Sequence, residues 1–409
     1  ELVAGLVQGE RLRRGGAGLE LGEIADLPLP ESVRDAILLR LHDLPEGARR
    51  ALEIAAVVGQ EFDLDLVAAL AGDEHWATAP IERHLIGEIA PGRAAFRHAL
   101  LREACYLDLP WSGRRARHRQ IAARLAAAGA APAIVAEHWL AAREPEAARL
   151  ALLASADASC RVHAYRDAAA AVRRALELWP EGGDEPARIA ALERLGLCAE
   201  RAGELGEAAR VWREVAGAHR EGGDRHRAAL AARQVAGLLE VQGDWERALA
   251  AREQAAALFV ACALPIEAAT ERLRAAAHLR SAAGYHAALA LLDAARAEVE
   301  GAGRWDLLAR ILALHGNVRA RLGETAAGLA LVREGLALAL AHQQIGAAAE
   351  IYQRLADALE HAGDYAGAEA AYREAFTFCR AHDAATGLLC LGCLTVVLRQ
   401  TGAWEQAGD

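Results

Sequence analysis

Apolar residues fall at helical spacing along the last two-thirds of the chain. Tyr352, Leu355, Ala356 and Leu359 share one face ahead of Gly363, and Leu192, Leu195, Gly196 and Ala199 do the same ahead of Gly203. Positions three and four apart lie on one side of an α-helix, so each set predicts a helix with a buried stripe. Ala370, Tyr372 and Phe376 predict a second helix beyond the break at Gly363. The breaks are regular. They begin at His163, Gly203, Gly243, Ala283, Gly323, Gly363 and Gly402, at intervals of 40 residues with a last one of 39. Five residues after each start comes a small side chain: Ala168, Ala208, Ala248, Ala288, Gly328, Ala368 and Ala407.

This register predicts helical hairpins in tandem. A glycine ends the first helix because it enters the left-handed conformation at little cost. Asp244 and Asp364 are placed to N-cap the helix that follows. The residue two after each start is often aromatic and anchors the corner. The small residue at the fifth place lets the paired helices approach closely.

Before residue 143 the pattern changes. Leu29-Pro30-Glu31-Ser32-Val33 reads as a helix start, with the helix running to about Leu44, and a second helix spans about Glu46 to Val58. Gly59-Gln60-Glu61-Phe62-Asp63 reads as a turn, with Asp63 capping a helix to Ala71; a fourth short helix holds Ile81 to Leu85. Ile86–Ile89 and Ala94–Arg97 flank Pro91-Gly92, the one β-hairpin signal in the sequence. Three or four short helices with one hairpin predict a winged helix.

The repeats resemble the tetratricopeptide repeat, with its small-residue ladder and Gly-Asp-Tyr turn. The usual period there is about 34, so a period of 40 implies longer helices. The resemblance covers residues 143–409 and implies an all-α right-handed superhelix of about seven hairpins, with the last cut inside its second helix and the array expected to continue past Asp409. It also implies a concave groove lined by the first helices. By that register the middle of the groove carries Arg280, Asn317, Arg321, Gln353 and Asp357, a mixture of donors and acceptors suited to a sugar, a peptide or a small anionic metabolite. Arg233, Glu240 and Arg310 line the same wall.

Composition narrows the chemistry. The chain has 409 residues, is 54% hydrophobic and carries a formal charge of −10, which suits a packed core and disfavours general nucleic-acid binding. Methionine is absent, and all 46 basic residues are arginine. Without lysine the sequence contains no Walker A phosphate loop and no Schiff-base enzyme. The missing methionine and the opening at Glu1-Leu2-Val3 suggest a piece of a longer protein that starts within a helix. No catalytic motif stands out, so an enzyme is not expected. The sequence holds no apolar run of about 18 residues. Seven cysteines scattered on helical stretches point to a reducing cytoplasm, and Cys390-x-x-Cys393 reads as two buried helix residues before it reads as a zinc or redox pair. Arg114, Arg115, Arg117 and Arg119 with His118 form a basic run that reads as a solvated helix face.

Four segments carry a wider resemblance: Leu29-Pro30-x-Ser32-Val33-Arg34-x-Ala36-Ile37, Ala55-Ala56-Val57-Val58-Gly59-x-x-Phe62, Phe96-Arg97-His98-x-Leu100-x-Arg102-Glu103, and Ala136-Glu137-His138-Trp139. They resemble the large ATP-dependent LuxR-type transcription regulators of the STAND class, the family of the maltose-regulon activator. That resemblance implies a nucleotide-binding module before Glu1 and a helix-turn-helix after Asp409. It divides the chain into residues 1–26 as the tail of the nucleotide module, with a last lid helix from Glu1 to about Gly15, residues 27–109 as the winged helix, 110–142 as connecting helices and 143–409 as the sensor. His98 stands where the family's winged-helix histidine touches the β-phosphate of ADP, although Ala99 replaces the motif's acid and Arg97 intervenes after Phe96. The bland alternative is that His98 caps or packs the following helix. The implied function is a sensor that binds an inducer and relays the signal through the winged helix, with no cofactor in this region, ATP or ADP elsewhere in the protein, and an oligomer on activation. No basic recognition helix lies between Asp63 and Leu85, so direct DNA contact is not expected, nor is a membrane. The alternative is an interaction scaffold that takes a partner's peptide or helix in the groove.

Overall fold

A computed structural model describes residues 12–15, 18–21, 37–38, 41, 43–382 and 384–407. The chain divides into two compact units, residues 1–188 and 189–409. Each is described by itself.

The first unit holds all the described strands. β1 (Leu12–Gly15) pairs antiparallel with β2 (Gly18–Leu21), with Leu12 opposite Leu21. Residues 12–15 are therefore a strand where a lid helix was expected, and a second hairpin joins the one predicted. Residues 1–11 lie outside the described residues, as does most of the expected helix from Pro30 to Leu44. α1 (Glu46–Val58) buries Ala48, Ala51, Leu52, Ala55 and Ala56 at helical spacing. β3 (Glu61–Asp63) follows, and Asp63 accepts a hydrogen bond from the Leu66 amide to cap α2 (Leu64–Ala71). α3 (Thr78–Glu82) leads into β4 (Ile86–Ala90) and β5 (Arg93–Phe96).

The segment Gly59–Asp63, expected as a turn, thus supplies a third strand. The sheet order is β3-β5-β4, with Phe62 opposite Ala94 and Ile86 opposite Phe96. Phe62 is the physical reason: it is buried between Trp76 and Phe96, with ring centroids at 6.0 and 5.4 Å, and extended backbone is what points it there. The fourth helix lies earlier than Ile81–Leu85 because Leu85 and Ile86 are drawn into this core. α4 (Ala99–Asp108), α5 (Trp111–Ala127) and α6 (Pro132–Ala141) complete the module, and the first repeat hairpin, α7 (Pro145–Arg161) and α8 (Tyr165–Glu177), packs behind α6.

The second unit is a tandem array of helical hairpins. α9 (Glu185–Arg201) begins just inside the first unit and pairs in sequence with α10 (Leu205–Glu221). There follow α11 (Arg225–Gln242) with α12 (Trp245–Ala261), α13 (Pro265–Ser281) with α14 (Tyr285–Val299), α15 (Trp305–Arg321) with α16 (Thr325–Ala341), and α17 (Ile345–His361) with α18 (Tyr365–Ala381). α19 (Thr386–Gln400) opens a further repeat. The fold class is all-α, a tetratricopeptide-like array on a 40-residue register.

The caps follow the sequence. Asp244 accepts from the Arg247 amide and Asp364 from the Gly367 amide, and Asp224 does the same for α11. The ladder residues Ala168, Ala208, Ala248, Ala288 and Ala368 are buried at 0 or 1% exposure, which is what close helix approach requires. The corner aromatics anchor in more than one way: Trp245 is half exposed and lies 4.3 Å from the His278 ring, whereas Tyr285 packs partly buried against the core.

The register is finer than 40. Left-handed residues mark the breaks at His163, Gly243 and Ala283, and again midway at Arg143, Gly223, Ala263 and Gln343. A chain reversal therefore comes about every 20 residues, whether or not glycine is present. Non-glycine residues in this conformation each cost roughly 1 kcal/mol, offset by the packing of the helices they join.

Candidate functional site

Asn317 lies six residues before the break at Gly323, and Asp357 lies six before Gly363. The 40-residue register therefore sets them side by side on α15 and α17, and Asn317 Nδ2 donates to Asp357 Oδ2 at 2.7 Å. The same amide donates to the Arg354 carbonyl at 3.3 Å. Arg280, on α13, uses Nη1 to reach Asn317 Oδ1 at 3.1 Å and Asp357 Oδ2 at 3.3 Å. Arg321 Nη2 lies 2.9 and 3.1 Å from the two Asp357 oxygens. Four of the five residues expected in the middle of the groove thus form one hydrogen-bonded cluster across three successive first helices. Gln353 shares α17 but makes no bond to the cluster among the described residues.

The electrostatics are lopsided. Burial would raise the Asp357 carboxyl, but the Asn317 hydrogen bond and the Arg321 and Arg280 charges outweigh it, so its pKa falls below the ordinary value. Burial opposes the Arg321 charge, but Asp357 and Tyr285 hold its pKa high. Arg354 is pulled the other way, by burial and then by the neighbouring Arg280 charge. Three guanidinium groups therefore act on one carboxylate. Glu350 offsets part of the imbalance at Arg354, but it is also held by Arg310, at the equivalent register position one repeat earlier, at 2.9 and 3.3 Å. The Nε atoms of Arg280, Arg321 and Arg354 are all buried and unpaired among the described residues. Buried N–H groups without acceptors cost about 1–3 kcal/mol each. An oxyanion would satisfy them and balance the charge.

Arg233 and Glu240, expected on the groove wall, belong to a different assembly. Glu271 accepts from Arg233 Nε at 2.6 Å and from Arg252 Nη1, and Arg252 grips Glu240 through Nε and Nη2 at 2.9 Å each. Arg252 and Glu271 are 2 and 1% exposed. Burial disfavours the Arg252 charge, but Glu240 and Glu271 together hold its pKa above the ordinary value. Neither residue was singled out from the sequence, although the register carries the signal. Arg252 stands where other repeats bury Trp212, Leu292, Val332 and Tyr372, and Glu271 where they bury Ala231, Ile311 and Ile351.

In the first unit His98 occupies the N-cap position of α4, but its side chain makes no capping bond and is exposed. The basic run on α5 is not a solvated face. Arg115 donates to the Ala142 carbonyl at 2.8 Å, Arg117 pairs with Glu53 at 2.7 Å, Arg119 pairs with Glu144, and Arg114 lies over the Tyr106 ring. The partners come from other elements and the connection between α6 and α7, so sequence-local reasoning could not see them. His118 from the same run is buried, with its Nδ1 2.9 Å from His138 Nδ1 and its Nε2 3.3 Å from the Tyr106 hydroxyl. Burial, then the charges of His138, Arg102 and Arg114, push its pKa down to about 4.

Cys390 is buried and Cys393 half-buried, both as free thiols, and burial raises the Cys390 pKa to about 11. The Cys390 thiol therefore stays protonated and unreactive near neutral pH. Among the described residues no group of three or more His, Cys, Asp or Glu side chains is arranged to hold a metal, and no helix is long and apolar enough to cross a membrane.

No protein-family model matches the chain, and no curated protein matches it. Solved structures do. The chain is similar to the apo form of RapI at 14% identity and a TM-score of 0.48, covering 64% of this chain and 93% of that one. It is similar to the apo form of the quorum sensor NprR from B. thuringiensis at 12% identity and a TM-score of 0.45, covering 75% and 90%. A third similarity is to a STAND protein with a tetratricopeptide repeat sensor from Pyrococcus horikoshii, at 13% identity and a TM-score of 0.38, covering 91% of this chain and 59% of that one.

Proposed function

We propose that the chain is the sensor and signal-relay region of a STAND-type, LuxR-family transcription regulator. The observation that carries the sensing half is the open cluster on α13, α15 and α17, where three arginines share one carboxylate and three buried Nε–H groups lack acceptors. A ligand that presents a carboxylate or phosphate supplies what is missing. Arg280, Arg321 and Asp357 keep part of their side chains exposed to meet it, while fully buried Asn317 holds Asp357 in place. The relay half rests on the sequence resemblance and on the layout of α1–α4 with the sheet β3-β5-β4, which suits a winged helix. There exposed His98 is free to meet the β-phosphate of ADP held by a nucleotide module of the same protein. Ligand binding shifts the equilibrium only by its preference for one of two arrangements.

A thermal-shift screen with anionic metabolites tests the groove. Arg354→Leu removes an unpaired buried cation and keeps the side-chain volume, so the variant is expected to melt no lower than the parent and to lose the ligand-induced shift. A screen without hits, together with stoichiometric capture of a protein partner, would make the groove a scaffold instead. ADP retention in a chain carrying the nucleotide module tests His98, and unchanged retention in His98→Ala removes it from the reading.

A further inference from the structure

The array carries a cavity apart from the charged cluster of the first helices. It lies between the second helices α10 and α12 and over the first helix α11, with a volume of about 360 Å³. Its floor is apolar and buried, made by Ala216, Ala232, Val235, Leu239 and Ala251. Gly217 opens one wall, since a Cβ there would meet nothing within 4 Å. The rim is cationic: Arg213, Arg220 and Arg247 line the cavity beside Gln254, and no carboxylate does.

The repeat supplies its own control. The cavity over α15, between α14 and α16, is built from the same elements two repeats later and has about 460 Å³. There the register equivalents of Arg220 and Gln254 are Glu300 and Glu334, and both line it. One architectural cleft thus has arginines as its sole charged lining, whereas the other carries two glutamates beside Arg296. In a chain of net charge −10, a cleft with three arginines and no acid is a local reversal. Arg247 is partly neutralised by Asp244 at 3.2 Å, and Arg213 spends its Nε on the Ala209 carbonyl at 3.1 Å. Arg220 has no ion pair among the described residues, which leaves it as the principal anchor.

We propose that this cleft binds a small amphipathic carboxylate, with its hydrocarbon body on the alanine-rich floor and its carboxylate at Arg220 and Arg247. The volume falls within the range of small-molecule sites, and an apolar pocket with a few placed polar groups is their usual chemistry. The site is separate from the first-helix groove and does not depend on the reading of that groove.

Decanoate, decanol and decyltrimethylammonium, each below its micellar range, serve as probes in titration calorimetry on the full 409-residue chain. Decanoate is expected to bind at least tenfold more tightly than decanol, and the cation is expected not to bind. Gly217→Leu projects a side chain into the cleft while replacing a poor helix former with a good one, so it is expected to melt no lower than the parent and to weaken decanoate at least tenfold. Arg220→Glu copies Glu300 of the other cleft and is expected to abolish decanoate binding while leaving the melting temperature unchanged. The proposal is overturned by equal binding of all three probes, by no decanoate binding, or by decanoate binding that survives Gly217→Leu.

Discussion

The buried pair Arg252–Glu271 allows the sharpest test of how the array is held together. Arg252→Leu leaves Glu271, at 1% exposure, with Arg233 as its one remaining partner. Removing one member of a buried ion pair costs about 3–5 kcal/mol, because the other charge stays desolvated. Glu271 keeps Arg233, and Glu240, with a 27% exposed side chain, can turn to water. The cost therefore lies at the low end, about 3 kcal/mol. The double variant Arg252→Leu/Glu271→Ile installs the apolar residues that other repeats use at these positions, as at Leu292 and Ile311. Replacing a whole buried pair by packed hydrophobes is neutral or stabilising by about 1–4 kcal/mol, so the double variant is expected near or above the parent. Urea unfolding followed by circular dichroism measures both, with amide exchange across α11–α13 because repeat arrays open segment by segment. With a denaturant slope of about 2 kcal/mol per molar, the single variant moves the local midpoint down by about 1.5 M. A shift under about 0.3 M, or a double variant no better than the single, would refute the claim that this pair is tolerated only as a pair.

Other outcomes follow from packing, capping and titration. Gly328→Ala introduces the residue that most repeats carry at this rung, yet its Cβ would fall 2.5 Å from the Gly316 carbonyl oxygen, so a loss of about 1–3 kcal/mol is expected in thermal unfolding. Asp364→Ala is expected to cost about 1 kcal/mol, and Gln344→Asp, at an N-cap whose side chain makes no capping bond and donates instead to the His342 carbonyl, to gain up to about as much, both read by denaturant midpoint. The His118 pKa is depressed to about 4, so the stability from its neutral form is complete above the ordinary value of 6.5 and is lost as pH falls through 4. At about 1.4 kcal/mol per pKa unit the loss approaches about 3 kcal/mol, and His118→Gln is expected to flatten the pH dependence of melting over that interval.

The helices, caps and ladder were legible because each rests on residues close in sequence. Gly363, Asp364 and Ala368 specify a break, a cap and a rung within six positions. What escaped was set by partners far along the chain. Residues 61–63 look like a turn until β5 is beside them, and the α5 arginines look solvated until Glu53 and Glu144 arrive from other elements. A midway reversal is implied by the hairpins, but its positions escaped for another reason: Arg143, Ala263 and Gln343 are left-handed without being glycine, so composition does not announce them. At the candidate site the register brings Arg280, Asn317, Arg321 and Asp357 onto neighbouring first helices, where they bond to one another, but could not say which donors would remain unpaired. It also placed Arg233 and Glu240 on the groove wall without revealing that Arg252 and Glu271 had claimed them.

Two charged clusters break the apolar logic of the same array, and hydrogen-bond accounting separates their roles. In the first, Arg252 gives Nε and Nη2 to Glu240 and Nη1 to Glu271, and Arg233 completes Glu271, so the charges balance at two against two. Such a network resists any further ligand, because a new acceptor must first displace a carboxylate already in place. In the second, Asp357 serves Arg280 and Arg321 while Arg354 acts on it from nearby, and three Nε–H groups stay buried without acceptors. Leaving them so costs several kcal/mol in total. That cost is reduced only when an acceptor arrives. The closed cluster needs no further acceptor, whereas the open one leaves room for one, which is what the proposed ligand would supply. If the groove takes a ligand as proposed, walls that are more stable when filled would couple binding to the rigidity of α13, α15 and α17.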